Sequence, residues 1–576
     1  MLILMIYDII PNMNISKQKR ETLVAKANEI KAFIKNAPQD ENTARLLSFV
    51  AELEKEIKSK KYGLVFEEHK EQIDEMLETN EPILIEDKSR FTDNGGQMNF
   101  LIEGDNLASL KLLEKTHNGR IDIIYIDPPY NTGAKDWKYD NDYADKNDLF
   151  RHSKWLTLMQ RRLDIAKKLL TQKGVLICAI DENELHTLGF LLESIFGSAY
   201  EYHCISIVHN PRGIQGKNFS YTHEYAIFVV PVGDKIIGER KIDDSEIDWR
   251  NLRDNGGESL RTDAKNCFYP ILVAQDEIIG FGEVVSDMNK HPKQNEVIDG
   301  VTYVYPIDIQ GIERKWRYAR QSVDSVKENL RVKIVKGRYE IEIGKNFGTY
   351  RTVWQGPRYD SNEYGKKIIN DLVPDAPFDF PKSLWNVYDC LYAVVGKRKQ
   401  AIILDFFAGS GTTGHAVLEL NREDGGRRKF ILCTNNENNI CEEVTYQRIK
   451  TVITGKRKDG SEYSKGIAGS LKYFKVDFTP ITEKLYYEYA DTLLLHIKEL
   501  VELENAIDFD HNDRIDILLD ENQVEAFFTN EKKLAKVKTI YLGHDISLTL
   551  LQQQMATEHG IKINVIPEYY YKEKQI

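Results

Sequence analysis

Across the first ninety residues, rich in Lys, Glu, Ala and Leu, the apolar side chains fall at helical spacing: Leu46, Leu47, Val50, Leu53 and Ile57 recur every three or four positions. That spacing predicts an amphipathic helical arm, serving either as a helical pair packed on its own domain or as a dimerisation arm. From about residue 98 the pattern changes to continuous apolar runs of strand length, "IDIIYI" (121–126) and "GVLICAI" (174–180), with helical stretches at 149–172 and 182–195. Fully apolar strands alternating with helices predict a parallel sheet covered on both faces. Further strands are expected at 205–230. Residues 236–375 then turn irregular, aromatic and basic, as an inserted domain would. The strand-then-helix order resumes with "AIILDFF" (401–407), a glycine turn, a helical stretch through Leu420 and the strand "KFILCT" (429–434). Residues 376–475 are therefore expected to complete the sheet begun at 98–235. "IDILL" (515–519), "VKTIYL" (537–542) and "IKINVI" (561–566) predict a small appended α/β unit. The domains expected are a helical arm (1–90), two halves of one core (91–235 and 376–480), the insert (236–375) and the C-terminal unit (481–576). There is no internal repeat, which disfavours a solenoid.

Composition narrows the class. The chain has 576 residues, 41% hydrophobic and 29% charged, which is globular and too long for a single core. The early apolar run Met1 to Tyr7 ends at Asp8 without a basic flank, too short to span a bilayer and a poor signal peptide, so a cytoplasmic protein away from the membrane is expected. Six scattered cysteines with no CxxC pair argue against a zinc site or a disulfide framework, and no metal is expected. A net charge of −12 does not exclude nucleic acid, because binding depends on where the cations are grouped. Between Val301 and Asp360 there are twelve Lys and Arg against seven Asp and Glu, interleaved with aromatic residues.

Two loops carry candidate chemistry. Asp127-Pro128-Pro129-Tyr130 follows the strand 121–126 directly, at the carboxyl end where open α/β sheets bind ligands. The prolines remove backbone donors, leaving the Asp127 carboxylate, the Pro128 carbonyl and the Tyr130 ring. Acceptors beside a flat ring suit the exocyclic amino group of a nucleobase, whose delocalised lone pair is freed when both N–H bonds are accepted. Tyr130 would stack on a base flipped out of its duplex, at roughly a few kcal/mol. The second loop, "DFFAGSGTTG" (405–414), again ends a strand and opens a helix, and Gly409, Gly411 and Gly414 fit GxGxxG. His415 and Ala416 stand where a P-loop needs Lys and Ser/Thr, so ATP is disfavoured; a dinucleotide stays formally open, with Glu437 at the ribose distance. S-adenosyl-L-methionine suits the loop better, because its sulfonium prefers carboxylates and aromatic faces, here Asp405, Phe406, Phe407 and Asp127, with cation–π contacts worth ~2 kcal/mol in dry sites.

Together the loops resemble the amino-methylating DNA methyltransferases, in the permuted order that puts DPPY before the FxGxG loop, with 282 residues from Asp127 to Gly409. More narrowly, "KYGLVFEEH" (61–69), "IDPPYNTG" (126–133), "THEYAIFVV" (222–230), "FAGSGTTGHAVLELN" (407–421), "NNENNICEEVTYQRI" (435–449) and "IPEYYYKE" (566–573) are similar to the modification subunit of Type III restriction-modification systems. The resemblance implies an α/β, Rossmann-like S-adenosylmethionine-dependent methyltransferase fold with an inserted target-recognition domain, a helical N-terminal arm and a small C-terminal α/β unit. It implies adenine-N6 methylation of double-stranded DNA by a homodimer that joins a restriction subunit of ATPase/nuclease type. It also carries over site residues. Asp127, Pro128, Pro129 and Tyr130 are the catalytic set. Asp105 and Asn106 of "EGDNL" would lie below the adenine of the cofactor; Lys382 and Ser383 of "FPKSL" would lie against its methionine end, where the usual motif has a second proline in place of Ser383. Asp405, Phe407, Gly409, Gly411, Thr412 and Thr413 would form the cofactor loop. Glu437 is assigned to the ribose, since Thr434 stands at the strand end where many relatives have an acid.

"THEY" (222–225) lacks the second histidine of a zinc-protease motif and reads as structural. Arg314, Lys315, Arg317 and Arg320, clustered around Trp316, are expected to face DNA, the rival being a solvated charged helix face. Cytosine-N4 presents nearly the same amino group and stays open as the alternative target. A recognition module with a decayed enzyme site is the rival from another class, opposed by the intact Asp127, Tyr130 and Gly409.

Overall fold

The structure, a computed structural model, describes residues 15–36, 41–58, 66–139, 142–145, 150–242, 247–481, 496–543 and 545–566. The run Met1 to Tyr7, positions 61–65 of "KYGLVFEEH" and nearly all of "IPEYYYKE" lie outside the described residues. The chain divides into two compact units, Met1–Glu71, Asn131–Leu163 and Asn183–Ser198 in one, Gln72–Tyr130, Asp164–Glu182 and Ala199–Ile576 in the other.

In the first unit the expected arm is a pair of helices, α1 (Ile15–Asn36) and α2 (Glu41–Lys58), packed through Ala27, Ile34, Leu47 and Val50. Leu23, Ile30, Phe33, Leu46, Phe49 and Leu53 stay exposed, because one helix pair is too thin to cover two apolar stripes. Within the same unit, buried Arg162 donates to both carboxylate oxygens of Glu71 at 2.8 and 3.1 Å.

The second unit is organised by an 11-stranded sheet. Its strands are β1 (Asn80–Glu86), β2 (Met98–Glu103), β3 (Ile121–Ile126), β4 (Leu170–Ile180), β5 (Tyr200–Val208), β6 (His223–Pro231), β7 (Val353–Trp354), β8 (Ile402–Asp405), β9 (Lys429–Thr434) and β10 (Ser470–Pro480). They lie in the order β1-β10-β2-β9-β8-β3-β4-β6-β5-β7, with Thr92–Asp93 added on β10. The six from β10 to β4 run parallel, β3, β4, β8 and β9 among them as their apolar sequences predict. The sheet is nonetheless mixed. β1 pairs antiparallel with β10, and β6 pairs antiparallel with both β4 and β5. Residues 209–222 return the chain from β5 to β6 without a helix, and antiparallel pairing needs no crossover.

Helices α3 (Asn106–His117), α6 (Leu384–Val395), α7 (Thr412–Asp424) and α8 (Tyr446–Thr454) belong to this unit, whereas α5 (Leu185–Phe196) falls in the first and α4 (Arg151–Leu169) precedes β4 in the chain. One continuous core joins Ile123, Phe228, Leu391, Ile403, Phe430 and Ile449, so residues from both sides of the insert share it. The insert is less irregular than its sequence suggests. It holds a four-stranded sheet (Ile271–Ala274, Glu277–Phe281, Asn295–Ile298, Val301–Val304) and a three-stranded one, around a separate core of Leu252, Tyr269, Ile271, Val304, Trp316 and Ile341. The C-terminal segments form three parallel strands, Ile515–Leu518, Thr539–Leu542 and Lys562–Val565, as expected.

β8 and β3 are neighbours, with Ile403 opposite Ile123 and Leu404 opposite Ile124. From β3 the chain continues to β4 on one side, and from β8 to β9 on the other. Their carboxyl ends therefore flank a topological switch point, the crevice where such sheets bind ligands. Among the described residues no helix is long and apolar enough to cross a membrane, and no His/Cys/Asp/Glu cluster could hold a metal. All six cysteines are free, and Cys178, Cys390, Cys433 and Cys441 are buried.

Candidate active site

Asp127 follows β3 with its side chain 27% exposed. Pro128 beside it is buried. The Lys382 ammonium lies 3.2 Å from the Asp127 carboxylate and 2.5 Å from that of Glu224, touches the Tyr130 hydroxyl, and stands 4.5 Å from the centre of the Tyr130 ring. Tyr130 donates its hydroxyl to Glu224 at 3.1 Å, and Asn386 of α6 donates to the other Glu224 oxygen at 2.9 Å. Two carboxylates and one ammonium thus share one site. Burial raises the Asp127 carboxyl above its usual value, an effect that nearby Glu224 strengthens and Lys382 partly offsets. Glu224 is also buried, yet its carboxyl is held below the usual value because Lys382, His209 and its hydrogen bonds outweigh burial. The Lys382 ammonium is held firmly protonated by Asp127 and Glu224 against its own burial.

The glycine loop opens α7. Gly409 (φ +49) and Gly411 (φ +77) take the left-handed conformation, where a side chain would be strained, and a Cβ on Gly414 would stand 2.8 Å from Ile449 Cδ1. The loop is braced from within and from α8. Asp405, 2% exposed, accepts from the Phe407 amide at 3.0 Å and from the Thr413 hydroxyl. Thr445 donates to the Gly409 carbonyl. Buried Arg448 donates to Thr412 at 2.7 Å and to Ser410 Oγ at 3.1 Å. Burial pushes the Asp405 carboxyl up to about 7, with the Asp127 charge adding to the shift. Phe407 and Gly409 stay partly exposed while their neighbours are buried, so they form the open face of the loop.

The remaining sequence-predicted residues fall into place unevenly. Asn106 donates to the Phe406 carbonyl at 3.0 Å and ties the end of β2 to the glycine loop. Asp105 caps α3, accepting from the Leu107 amide at 2.7 Å. Glu437 lies in a short 3₁₀ turn beyond β9, half-buried. Lys382, expected against the methionine end of the cofactor, lies beside the DPPY loop, where two carboxylates hold its ammonium. Its neighbour Ser383 is buried and donates to the Arg358 carbonyl at 2.8 Å, while Thr413 donates to Asp405, and Thr412 meets Ser410 and accepts from Arg448.

Three of the four basic residues expected to face DNA are engaged within the insert. Arg314 pairs with Asp308 at 3.0 Å, Lys315 stands 3.9 Å from Asp254, and Arg320 donates to the Gly282 carbonyl and pairs with Asp324. Trp316 between them is core, its indole N–H donating to the Tyr269 carbonyl at 2.8 Å. Only Arg317 of the four is exposed. It lines a cleft of about 820 Å³ with Arg240, Lys345, Arg351 and Tyr350.

Glu224, Asn386, Thr445 and Arg448 were not singled out from sequence. Glu224 lies in "THEY", read from the sequence as structural, and its burial inside an apolar strand marks it as a charge in need of a partner. Thr445 and Arg448 lie in "NNENNICEEVTYQRI", a stretch whose role the sequence alone did not give.

An open α/β sheet with an acceptor-rich loop and a braced glycine loop side by side at its switch point is a Rossmann-like methyltransferase architecture. The DNA methylase family matches residues 121–446, both loops included, and the chain belongs to that family. It is 32% identical over 371 residues to the Type II methyltransferase M.KpnI of Klebsiella pneumoniae, covering 60% of this chain and 82% of that protein. It is 28% identical over 409 residues to the EcoPI Mod subunit of a Type III restriction-modification enzyme from Escherichia phage P1, covering 62% and 60% of the two. With the StyLTI Mod subunit of Salmonella typhimurium it shares 29% identity over 403 residues, 62% of this chain and 56% of that one. The chain thus spans less than two thirds of the length of these two Mod subunits.

Proposed function

We propose that this DNA methylase transfers a methyl group from S-adenosyl-L-methionine to the N6 amino group of an adenine flipped from double-stranded DNA, as the modification subunit of a Type III restriction-modification system. The observation that carries the reading is the meeting of the two loops on adjacent parallel strands, 282 residues apart in sequence.

The residues present fit the donor. A buried carboxyl at Asp405, the charge of Asp127 and the partly exposed Phe407 ring suit a cation. Gly409 holds the left-handed turn at φ +49, which a residue with a side chain would take only with strain. When bound, S-adenosyl-L-methionine supplies a methyl group on a positively charged sulfur. Asp127 and the Pro128 carbonyl accept the two N–H bonds of the target amine and release its lone pair. Tyr130, held by Glu224, offers its ring to the base, and alignment of this kind lowers a barrier by ~7–11 kcal/mol without a metal or a covalent intermediate.

The insert, 236–375 as read from the sequence but rejoining the main sheet at β7 (Val353–Trp354), reads the target. The cleft brings Arg240, Arg250, Arg317, Lys345 and Arg351 together against the single carboxylate of Asp248, and this local excess of positive charge supports phosphate contact there. Likeness to Mod subunits supports a restriction subunit as partner, and the exposed apolar stripe on α1 and α2 supports a homodimer. The test is methyl transfer to duplexes offering only adenine or only cytosine amino targets. Adenine product is expected; cytosine product would replace this reading by N4 methylation. Asp127→Ala is expected to keep donor binding and lose turnover, and an inert wild type would favour a decayed recognition module.

A further inference from the structure

We propose that Glu224 is a positioning residue that holds Lys382 and balances its charge, leaving the Asp127 carboxylate open as an acceptor for the target amine. The inference rests on the methyl-transfer reading. One ammonium facing one buried carboxylate would form a closed pair, and Asp127 would be consumed by it. A second carboxylate changes the balance. The Lys382 ammonium stands closer to Glu224, at 2.5 Å, than to Asp127, at 3.2 Å, and Asn386 anchors the far oxygen of Glu224. The trio Asp127, Glu224 and Lys382 then keeps one net negative charge. That charge faces a reaction whose only cation is the incoming sulfonium. As the N–CH3 bond forms and the CH3–S bond breaks, the positive charge moves to the amino nitrogen, whose surplus proton passes to Asp127. An Asp127 carboxyl raised by burial suits that final acceptance.

Lys382 has a separate role in this arrangement. Two buried carboxylates without a cation cannot both stay ionised, so one would hold a proton at neutral pH. Besides Tyr130, which donates to Glu224, the titratable groups facing the trio are Tyr125 of β3, Cys178 of β4, His209 beyond β5, Cys390 of α6 and Asp405 of β8. Burial keeps both tyrosines and the two cysteines protonated and lowers the His209 value, so none of them replaces the ammonium.

The experiment compares four full-length chains: wild type, Glu224→Gln, Lys382→Met and the double variant. Single-turnover methylation of a cognate duplex is followed against pH, with S-adenosyl-L-methionine affinity measured on each. Glu224→Gln lets Lys382 close on Asp127, and its turnover is expected to fall about 10²-fold with donor affinity nearly kept. Lys382→Met is expected to move the acid limb of the rate profile up by about one to three pH units. The double variant restores a lone Asp127 carboxylate, so it should outpace Glu224→Gln by about tenfold, a suppression that a merely structural role would not produce. Wild-type turnover in Glu224→Gln, or a double variant no faster than that single one, overturns the inference alone. An inert wild type overturns the methyl-transfer reading and this inference with it.

Discussion

Burial holds the Asp405 carboxyl up at about 7, against two hydrogen bonds that favour its ionised form. A carboxyl raised on folding contributes stability that is fully present below its unfolded value near 4 and lost as pH rises through about 7. Binding a cation beside it reverses that preference, since the ligand favours the carboxylate. Binding below neutrality therefore releases a proton, and S-adenosyl-L-methionine affinity is expected to rise about tenfold per pH unit from pH 5.5 until it levels off near 7. Calorimetry in buffers of different ionisation heat measures that proton directly. Asp405→Asn should bind more weakly at pH 8 and show a flat profile; an equally steep profile in this variant would assign the proton elsewhere.

At the scale of elements, the glycine loop owes its shape to α8 as much as to its own glycines. Arg448 is buried without an acidic partner among the described ion pairs, and burial lowers its value to about 9. Its hydrogen bonds to Ser410 and Thr412 hold the turn into α7. Arg448→Met removes charged donors worth ~1.5–3 kcal/mol and should weaken donor binding about ten- to hundredfold, with DNA affinity unchanged, as equilibrium dialysis and a mobility-shift assay would read. Nothing in the local pattern around Arg448 announces this, because periodicity reports which face is buried and not which polar group a distant turn lacks. Where the pattern is continuous and apolar it reads the fold closely: "IDIIYI" and "KFILCT" are β3 and β9 to the residue. The insert reads poorly for a physical reason. Its strands of two to six residues turn at Gln275, Asp276, Asp299, Gly300 and Lys336, all at positive φ, and are too short to establish a period. The ion pairs within the basic cluster at 314–320 were not legible, because charge density along a sequence does not show which cations are already paired. Lys382 was legible as a site residue but not as the partner of Asp127, since only the folded sheet brings "FPKSL" to β3 and β6.

For the molecule as a whole, Lys472 of β10 is the junction between the main sheet and the chain that leads to the C-terminal unit. Fully buried, it faces Glu86 of β1 at 3.1 Å and, from the segment after residue 496, Glu502 at 2.7 Å and Asp508 at 3.1 Å. Lys472→Met strands three carboxylates and is expected to cost ~3–5 kcal/mol, read as a lower urea midpoint and faster proteolysis near residue 496. Burial raises the Glu502 carboxyl, so mild acid should recover part of the loss by protonating it; a midpoint that keeps falling toward pH 5 would count against the junction.

The placing of β8 beside β3 has a consequence for synthesis. At ~5–20 residues per second, a ribosome needs roughly 15–55 s after finishing β3 before β8 exists to cover its flank. Through that interval the middle of the future sheet is an unfinished edge of bare amides and carbonyls, the kind that recruits other chains. Messages cut short before residue 402 should therefore yield aggregates rather than half-enzymes, and a nascent chain on its way to full length should lean on chaperones until its second half emerges.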